Sequence, residues 1–193
     1  HSIENIGIIL LGFGLYVIAA SYSLTEIAMF GLIGALFHTM NHALFKSLLF
    51  LTAGSVVNAT GTKNIEEMGG LIKKMPYTAT FFFVGAISIS ALPPFNGFVS
   101  EFMIFQGILM SSAVSNPVVE ILLIIGLAIF ALTSALAAAC FVKAFGAVFL
   151  AVPRSEESKH AKEVPFFMLL GPAFLSALCI VFGLFSFQIF SLA

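Results

Sequence analysis

His38, His42 and Lys46 stand four residues apart within FHTMNHALFKSLLF, in one of the most apolar stretches of the chain. Buried histidine and desolvated lysine can both gain and lose protons near neutrality, which a proton relay requires. In an α-helix each four-residue step turns about 40° past a full turn and rises about 6 Å. The three groups would form a gently spiralling stripe on one face, flanked by Asn41, with Thr39 on another side. A charge in the bilayer interior costs between about 2.5 and more than 10 kcal/mol, depending on the method. From Ile27 to Thr62 the only Asp, Glu, Lys or Arg is Lys46, near the middle of the run, where snorkelling is hard. A proton relay fits the residue types best. The alternatives are a polar cluster that only holds helices together and ligation of a metal or haem by His38 or His42. Haem between helices usually takes histidines from two helices, and the others are His1 at the chain start and His160 in a polar loop.

ISALPPFNGFVSEF is the second feature. Pro93-Pro94 removes two amide donors and stops the helix before it. Asn96-Gly97 supplies a turn, and Glu101 falls in the first turns of the helix that resumes. A helix N-terminus favours a carboxylate, and broken helices at membrane depth occur where they line a cavity or a site. Glu101 is therefore expected to be a proton or ion site; the alternative is an interfacial glutamate beside an ordinary loop. Lys143 lies nine residues before the expected end of its span at Val152. It fits a proton exit path and a snorkelling anchor equally. Glu4, in HSIENIG, lies too close to the chain start for its depth to be read. Cys140 and Cys179 are far apart in apolar runs and form no C-x-x-C pair, so no iron–sulfur or zinc framework is expected. Asn58-Ala59-Thr60 matches a glycosylation sequon by chance.

The elements that must position these groups follow from the spacing of charges. The chain of 193 residues is 60% hydrophobic and 9% charged. Soluble domains carry about 25% charged residues, so the solvent here is mainly lipid. The net charge of −1 argues against a nucleic-acid surface. Twenty-three Phe beside no Trp has no evident physical reason. From Asn5 to Thr25 run 21 residues free of Asp, Glu, Lys and Arg, enough for one transmembrane helix. Ile27 to Thr62 is the second span. A polar loop with Lys63, Glu66, Glu67, Lys73 and Lys74 follows, in which Asn64 and Glu67 could cap a short interfacial helix. The third span opens at Pro76 and ends at Pro93-Pro94. The fourth runs from about Gly97 to Ser112, and the fifth from Pro117 to about Val152. PRSEESKHAKEVP is a charged loop, and the sixth span runs from Phe166 to the C-terminus with a kink at Gly171-Pro172. The expectation is an all-α, polytopic transmembrane bundle of about six spans, broken after Pro93-Pro94. Alternating ten-residue strands, the mark of a membrane barrel, are absent from the sequence. Orientation does not resolve. Three crossings would put the two lysine- and arginine-bearing loops on opposite sides, against the positive-inside rule, unless one span is re-entrant. The start at His1, with no basic n-region and no A-x-A site, suggests one transmembrane domain over 1–193 that is a piece of a longer protein.

HTMNHALFKSLLFLTAGSV, MGGLIKKMP and ALPPFNGFVSEFMIF together resemble the antiporter-like membrane subunits of respiratory complex I, membrane-bound hydrogenases and multisubunit sodium/proton antiporters. HSIENIGIIL and ACFVKAFGAVFL with PRS look most like the formate hydrogenlyase and hydrogenase-4 type. The resemblance covers essentially the whole chain. It implies a non-redox, proton-translocating subunit of an oxidoreductase complex in a bacterial or archaeal cytoplasmic membrane, without cofactor or metal of its own. Its partners would be other membrane subunits and lipid, not nucleic acid, and its coupling ion the proton, with sodium as the alternative. Lys46 matches the family's central lysine, and His38 and His42 match its histidines. Glu101 falls where members place Lys or Glu on a broken helix near the outer exit; here it is Glu, unlike the distal complex I subunit. The family's upstream Glu–Lys pair has no counterpart, as expected of a chain lacking the N-terminal half. The rival readings are a cation/proton antiporter module and a haem-bearing electron carrier.

Overall fold

Proline sets where α3 (Pro76–Ile89) and α5 (Pro117–Phe145) begin. The computed structural model describes residues 1–150, 152–186 and 188. It contains α1 (Ser2–Ser21), α2 (Thr25–Thr60), α3 (Pro76–Ile89), α4 (Asn96–Leu109), α5 (Pro117–Phe145), α6 (Glu156–His160) and α7 (Phe166–Leu184), with no strand among the described residues. Pro76 and Pro117 each occupy a first turn, where a missing amide costs nothing. The Asn116 side chain caps α5 by accepting from the Val118 and Val119 amides. Gly61, at φ 70°, ends α2 in the left-handed conformation. A π-helical turn, Gly146–Leu150, prolongs α5, and α7 runs through Pro172. The expected end of the sixth span, at 189–193, lies outside the described residues.

Four helices are long and apolar enough to cross a membrane: α1, α2, α5 with its π turn, and α7. α3 and α4 have 14 residues each, about 21 Å at 1.5 Å per residue, short of a bilayer core of about 30 Å. They follow one line beside α2. Ala79 packs in one cluster with Val56, and a Cβ on Gly85 would meet Leu49 at 3.0 Å. Further along, Asn96 bonds Asn41, Ser100 bonds His38, and a Cβ on Gly34 would meet Ile104 at 2.8 Å. Position along α3 and then α4 thus descends α2 steadily from its C-terminal to its N-terminal half. The segments expected as third and fourth spans are the two halves of one discontinuous crossing, antiparallel to α2, which sets the number of crossings among the described residues at five.

α1 lies antiparallel against the first half of α2, at a contact of small residues. A Cβ on Gly31 would come within 2.7 Å of the Gly12 carbonyl and 2.8 Å of the Tyr16 amide, the close backbone approach that small residues permit between membrane helices. α5 runs back along the broken crossing, with Phe130 beside Phe105, Ser134 on Glu101 and Phe145 beside Phe82. α7 closes the other side, with a methyl group of Leu51 near Gly171 and the Phe182 ring against Phe37.

The two charged loops meet at one end. Arg154 pairs with Glu66 at 3.8 Å and donates to the Ile65 carbonyl, and the Ser158 hydroxyl donates to the Glu67 carbonyl at 3.1 Å. Glu163 accepts from the Tyr77 amide at 2.9 Å and from the Thr78 hydroxyl at 2.6 Å, holding the first turn of α3. The interfacial helix expected after Asn64 does not form. Asn64 Oδ1 accepts from the Glu66 amide, and the Glu67 carboxylate takes the Thr62 hydroxyl and the Asn64 side-chain amide. Asn64 and the Glu66 amide close an Asx-turn instead, and only a single 3-10 turn, Leu71–Lys73, follows.

Candidate proton-transfer site

A polar seam runs where α2 faces the break in the α3–α4 crossing. Its geometry begins with Gly97. A Cβ there would lie 1.9 Å from the Ser88 carbonyl oxygen, so only glycine lets the start of α4 rest on the last turn of α3. Around this contact Asn41 and Asn96 clasp each other. Asn41 Nδ2 donates to the Asn96 carbonyl at 2.9 Å, and Asn96 Nδ2 donates to Asn41 Oδ1 at 3.1 Å. Both residues are fully buried. The pair satisfies polar groups that would otherwise cost several kcal/mol each in lipid (about 2–7 for a bare amide). One turn on, His38 is enclosed on both ring nitrogens, by Ser100 Oγ at Nδ1 (2.9 Å) and Asn5 Oδ1 at Nε2 (3.1 Å). Three helices thus meet on one imidazole: α1 through Asn5, α2 through His38, α4 through Ser100.

His42 is different. It is half-buried, its ring lies against Phe45, and its buried Nε2 makes no hydrogen bond. Lys46, also half-buried, holds its Nζ 5.2 Å from the centre of the Phe50 ring, a cation–π contact pointing toward the α2 C-terminus. No carboxylate forms an ion pair with Lys46 among the described residues. Glu4, paired with the His1 ring, lies close enough for its charge to act on both Lys46 and Glu101. Glu101 is buried at 8% exposure and accepts from the Ser134 hydroxyl of α5 at 2.8 Å. It borders a cavity of about 380 Å³ between the broken crossing and α5, lined by Ser90, Phe98, Phe102, Phe130 and Ser134.

His38, His42, Lys46 and Glu101 are thus brought into one region, whereas Lys143 is exposed in the last turn of α5, toward the end with the charged loops. No set of three or more His, Cys, Asp or Glu side chains converges as a metal site among the described residues. His38 has neither ring nitrogen free for iron. Asn5, Asn96, Ser100 and Ser134 were not expected as site residues, and Asn41 only as a flank. A signal was available for Asn41, Asn96 and Ser100: His38 and Asn41 at i, i+3, and Asn96 and Ser100 at i, i+4, each put two polar side chains on one face of an otherwise apolar helix.

Residues 12–129 match the family described as NADH:quinone oxidoreductase/Mrp antiporter, transmembrane. The chain belongs to this family. Within the antiporter family it is similar to two Escherichia coli proteins, each 42% identical: hydrogenase-4 component B over 183 residues and formate hydrogenlyase subunit 3 over 186. Both alignments cover 95% of this chain but only 27% and 30% of those proteins, so the chain spans less than a third of their length. A component of the Na(+)/H(+) antiporter of Alkalihalophilus pseudofirmus is 37% identical over 160 residues, 81% of this chain and 20% of that protein. Among solved structures, an archaeal membrane-bound sulfane sulfur reductase superposes with a TM-score of 0.68 at 26% identity, over 93% of this chain and 31% of that one. The Mrp complex of a Dietzia species gives the same TM-score at 20% identity, over 87% of this chain and 38% of that one, a likeness of fold. For this member of the antiporter family, the helical membrane bundle and the family resemblance expected from the sequence are both met.

Proposed function

We propose that the chain forms part of the proton path of an antiporter-like protein that moves protons across a bacterial or archaeal cytoplasmic membrane. That protein would sit in a hydrogenase or respiratory complex whose partner subunits do the redox chemistry. Lys46 holds and releases the proton, His42 and His38 pass it along the α2 stripe, and Glu101 is the terminal site whose charge favours release from, or return to, Lys46. Lys143 lies beyond them as an exit group or an interfacial anchor.

The observation that carries this reading is the unequal satisfaction of the stripe. His38 is fully hydrogen-bonded, His42 keeps a buried, unpartnered Nε2, and Lys46 has no ion-pair partner among the described residues. A cluster that served only as glue would satisfy its own buried groups; this one leaves two proton-exchanging groups open in the middle of a membrane helix. Lys46→Ala in the full-length protein, assembled in its complex in sealed vesicles, is expected to abolish proton uptake while electron transfer continues at a reduced rate. Full pumping by this variant, read with a pH-sensitive dye, would end the relay role. The similarity to a Na(+)/H(+) antiporter component supports a second reading, a module of a cation/proton antiporter. Proton movement that requires sodium and no electron donor would select it.

A further inference from the structure

The hydrogen bonds around His38 determine where its protons sit. Asn5 Nδ2 donates to the His1 carbonyl at 2.8 Å, which turns Asn5 Oδ1 toward the imidazole. Reversing the amide would set Oδ1 against a carbonyl and an N–H group against the ring, losing one bond outright. Asn5 therefore presents an acceptor, and His38 Nε2 must carry a hydrogen. On the other side, Ser100 Oγ has three polar neighbours: His38 Nδ1 at 2.9 Å, Asn41 Nδ2 at 3.1 Å and the Gly97 carbonyl at 3.1 Å. Asn41 Nδ2 can only donate. The single hydroxyl hydrogen thus has two destinations, Nδ1 of His38 or the carbonyl of Gly97.

We propose that Asn5 and Ser100 are positioning residues that lock His38 in the Nε2–H tautomer and confine proton exchange to Nδ1, with the Ser100 hydroxyl turning to match. With His38 neutral, Nε2–H donates to Asn5 Oδ1 and the Ser100 hydroxyl donates to the bare Nδ1. With one proton added at Nδ1, that new N–H donates to Ser100 Oγ, and the hydroxyl hydrogen turns onto the Gly97 carbonyl. The two states differ by that one proton, exchanged with the wire; Ser100 rotates and loses nothing. Every polar atom named stays bonded in both states, so a buried imidazole can change charge without leaving an orphan group. Gly97 gives the change a reader. In an α-helix its carbonyl also accepts from the amide of residue i+4, which is Glu101. The charge on His38 is thereby linked to the first turn of the broken helix that carries the terminal carboxylate.

The titratable side chains around this knot are His42 and Lys46 on α2, Glu4 beside Asn5 on α1, Glu101 beside Ser100 on α4, and the Cys179 thiol of α7 against Asn96. None of them takes the place of Asn5 or Ser100 at the His38 ring. Use of this switch in proton movement rests on the function proposed above; the tautomer does not.

The test is nitrogen-15 solid-state NMR of the full-length protein in its complex, histidine-labelled in lipid, with His38→Gln to assign the signal. Neutral His38 is expected to show a protonated Nε2 and a bare Nδ1. The reverse pattern in the wild-type protein overturns the proposal, whatever the variants do. Asn5→Leu removes the acceptor and is expected to move the ratio toward Nδ1–H by roughly tenfold, the worth of one hydrogen bond. Ser100→Ala is expected to keep Nε2–H. An unchanged ratio in Asn5→Leu also overturns the lock. For the link to pumping, Ser100→Ala is expected to shift the pH profile of proton uptake in vesicles, and Ser100→Thr, which keeps the hydroxyl, to restore it. Equal profiles for both variants and wild type would remove that link and leave the tautomer standing. A locked tautomer in a complex that moves no protons would instead refute the proposed function alone.

Discussion

Glu101 and Lys46 are asked to hold a proton at different points of one path, and their surroundings differ accordingly. Glu101 is enclosed, bonded to one serine and open to an apolar cavity; Lys46 is half-buried against a phenyl ring. Glu101→Gln preserves size and can still accept from Ser134, but cannot ionise. It is expected to lower proton uptake by roughly 10²-fold, the usual worth of a placed proton-transfer group, while Glu101→Asp retains part of it. Uptake by Glu101→Gln at the wild-type rate, followed by dye quenching across the neutral range, would reduce the Pro-Pro segment to a loop. The stripe itself is tested by access. Cysteine at position 42 is expected to react with a small water-soluble thiol reagent before a lipid-soluble one, since His42 Nε2 is buried within the protein and a relay group needs water beside it. The opposite order would mean that the stripe faces lipid.

At the scale of elements, the break between α3 and α4 depends on one missing methyl group. Gly97→Ala places a carbon 1.9 Å from the Ser88 carbonyl, which is backbone and cannot swing away. We expect a loss of about 3 kcal/mol or more, in the range of severe overpacking, seen as a lower unfolding temperature of the assembled complex and weaker pumping. Gly54→Ala, in α2 with nothing within 4 Å of the added carbon, is the control. It should be neutral or stabilise by about 0.5–1 kcal/mol. Equal behaviour of the two would mean the contact is not tight. The charged loop gives a pH prediction. Hydrogen bonds from Thr62 and Asn64 hold the Glu67 carboxyl below the usual carboxylate range. A lowered folded value means that its contribution is complete above the ordinary glutamate value and is lost as pH falls through the depressed one. Protection of the amides over 62–68, relative to the intrinsic exchange rate at each pH, should therefore fall on acidification below the ordinary glutamate range, and Glu67→Gln should blunt the dependence.

How much of this was legible depended on the range of the interaction. The stripe, the Pro-Pro break and the end of each long helix are local patterns, carried by periodicity and by residues that forbid helix. Asn5 was missed because it is unremarkable in its own helix; Ser100 shares a face of α4 with Asn96, but that it bonds His38 shows only when three helices meet there. Asn64 and Glu67 were expected to cap a helix; they bond each other side chain to side chain while Asn64 takes the Glu66 amide in a turn, and spacing alone does not choose between the two arrangements. The span count was misleading for a physical reason: a break looks the same in sequence whether the chain turns back or continues. Continuation is decided by packing against α2, and it changes the sidedness of everything after it. With α3 and α4 as one crossing, Lys63, Lys73, Lys74, Arg154, Lys159 and Lys162 all lie at one end of the bundle, joined by Arg154–Glu66 and Ser158–Glu67. The connections at the other end, 22–24 and 110–116, contain no Lys or Arg. The positive-inside rule, unusable with six crossings, now points one way, with the basic end in the cytoplasm and the 22–24 and 110–116 connections outside. Single cysteines test it in the full-length protein, once Cys140→Ser, Cys179→Ala and replacement of any cysteine outside residues 1–193 have removed the native thiols. Lys74→Cys and Lys159→Cys, both exposed, should be labelled by a membrane-impermeant reagent only from the cytoplasmic side. Ser23→Cys and Ser115→Cys, also exposed, should be labelled only from the other. Labelling of Lys74→Cys and Lys159→Cys from opposite sides would mean that α3 and α4 cross separately. The seam around His38 would then have to be rebuilt on a different topology.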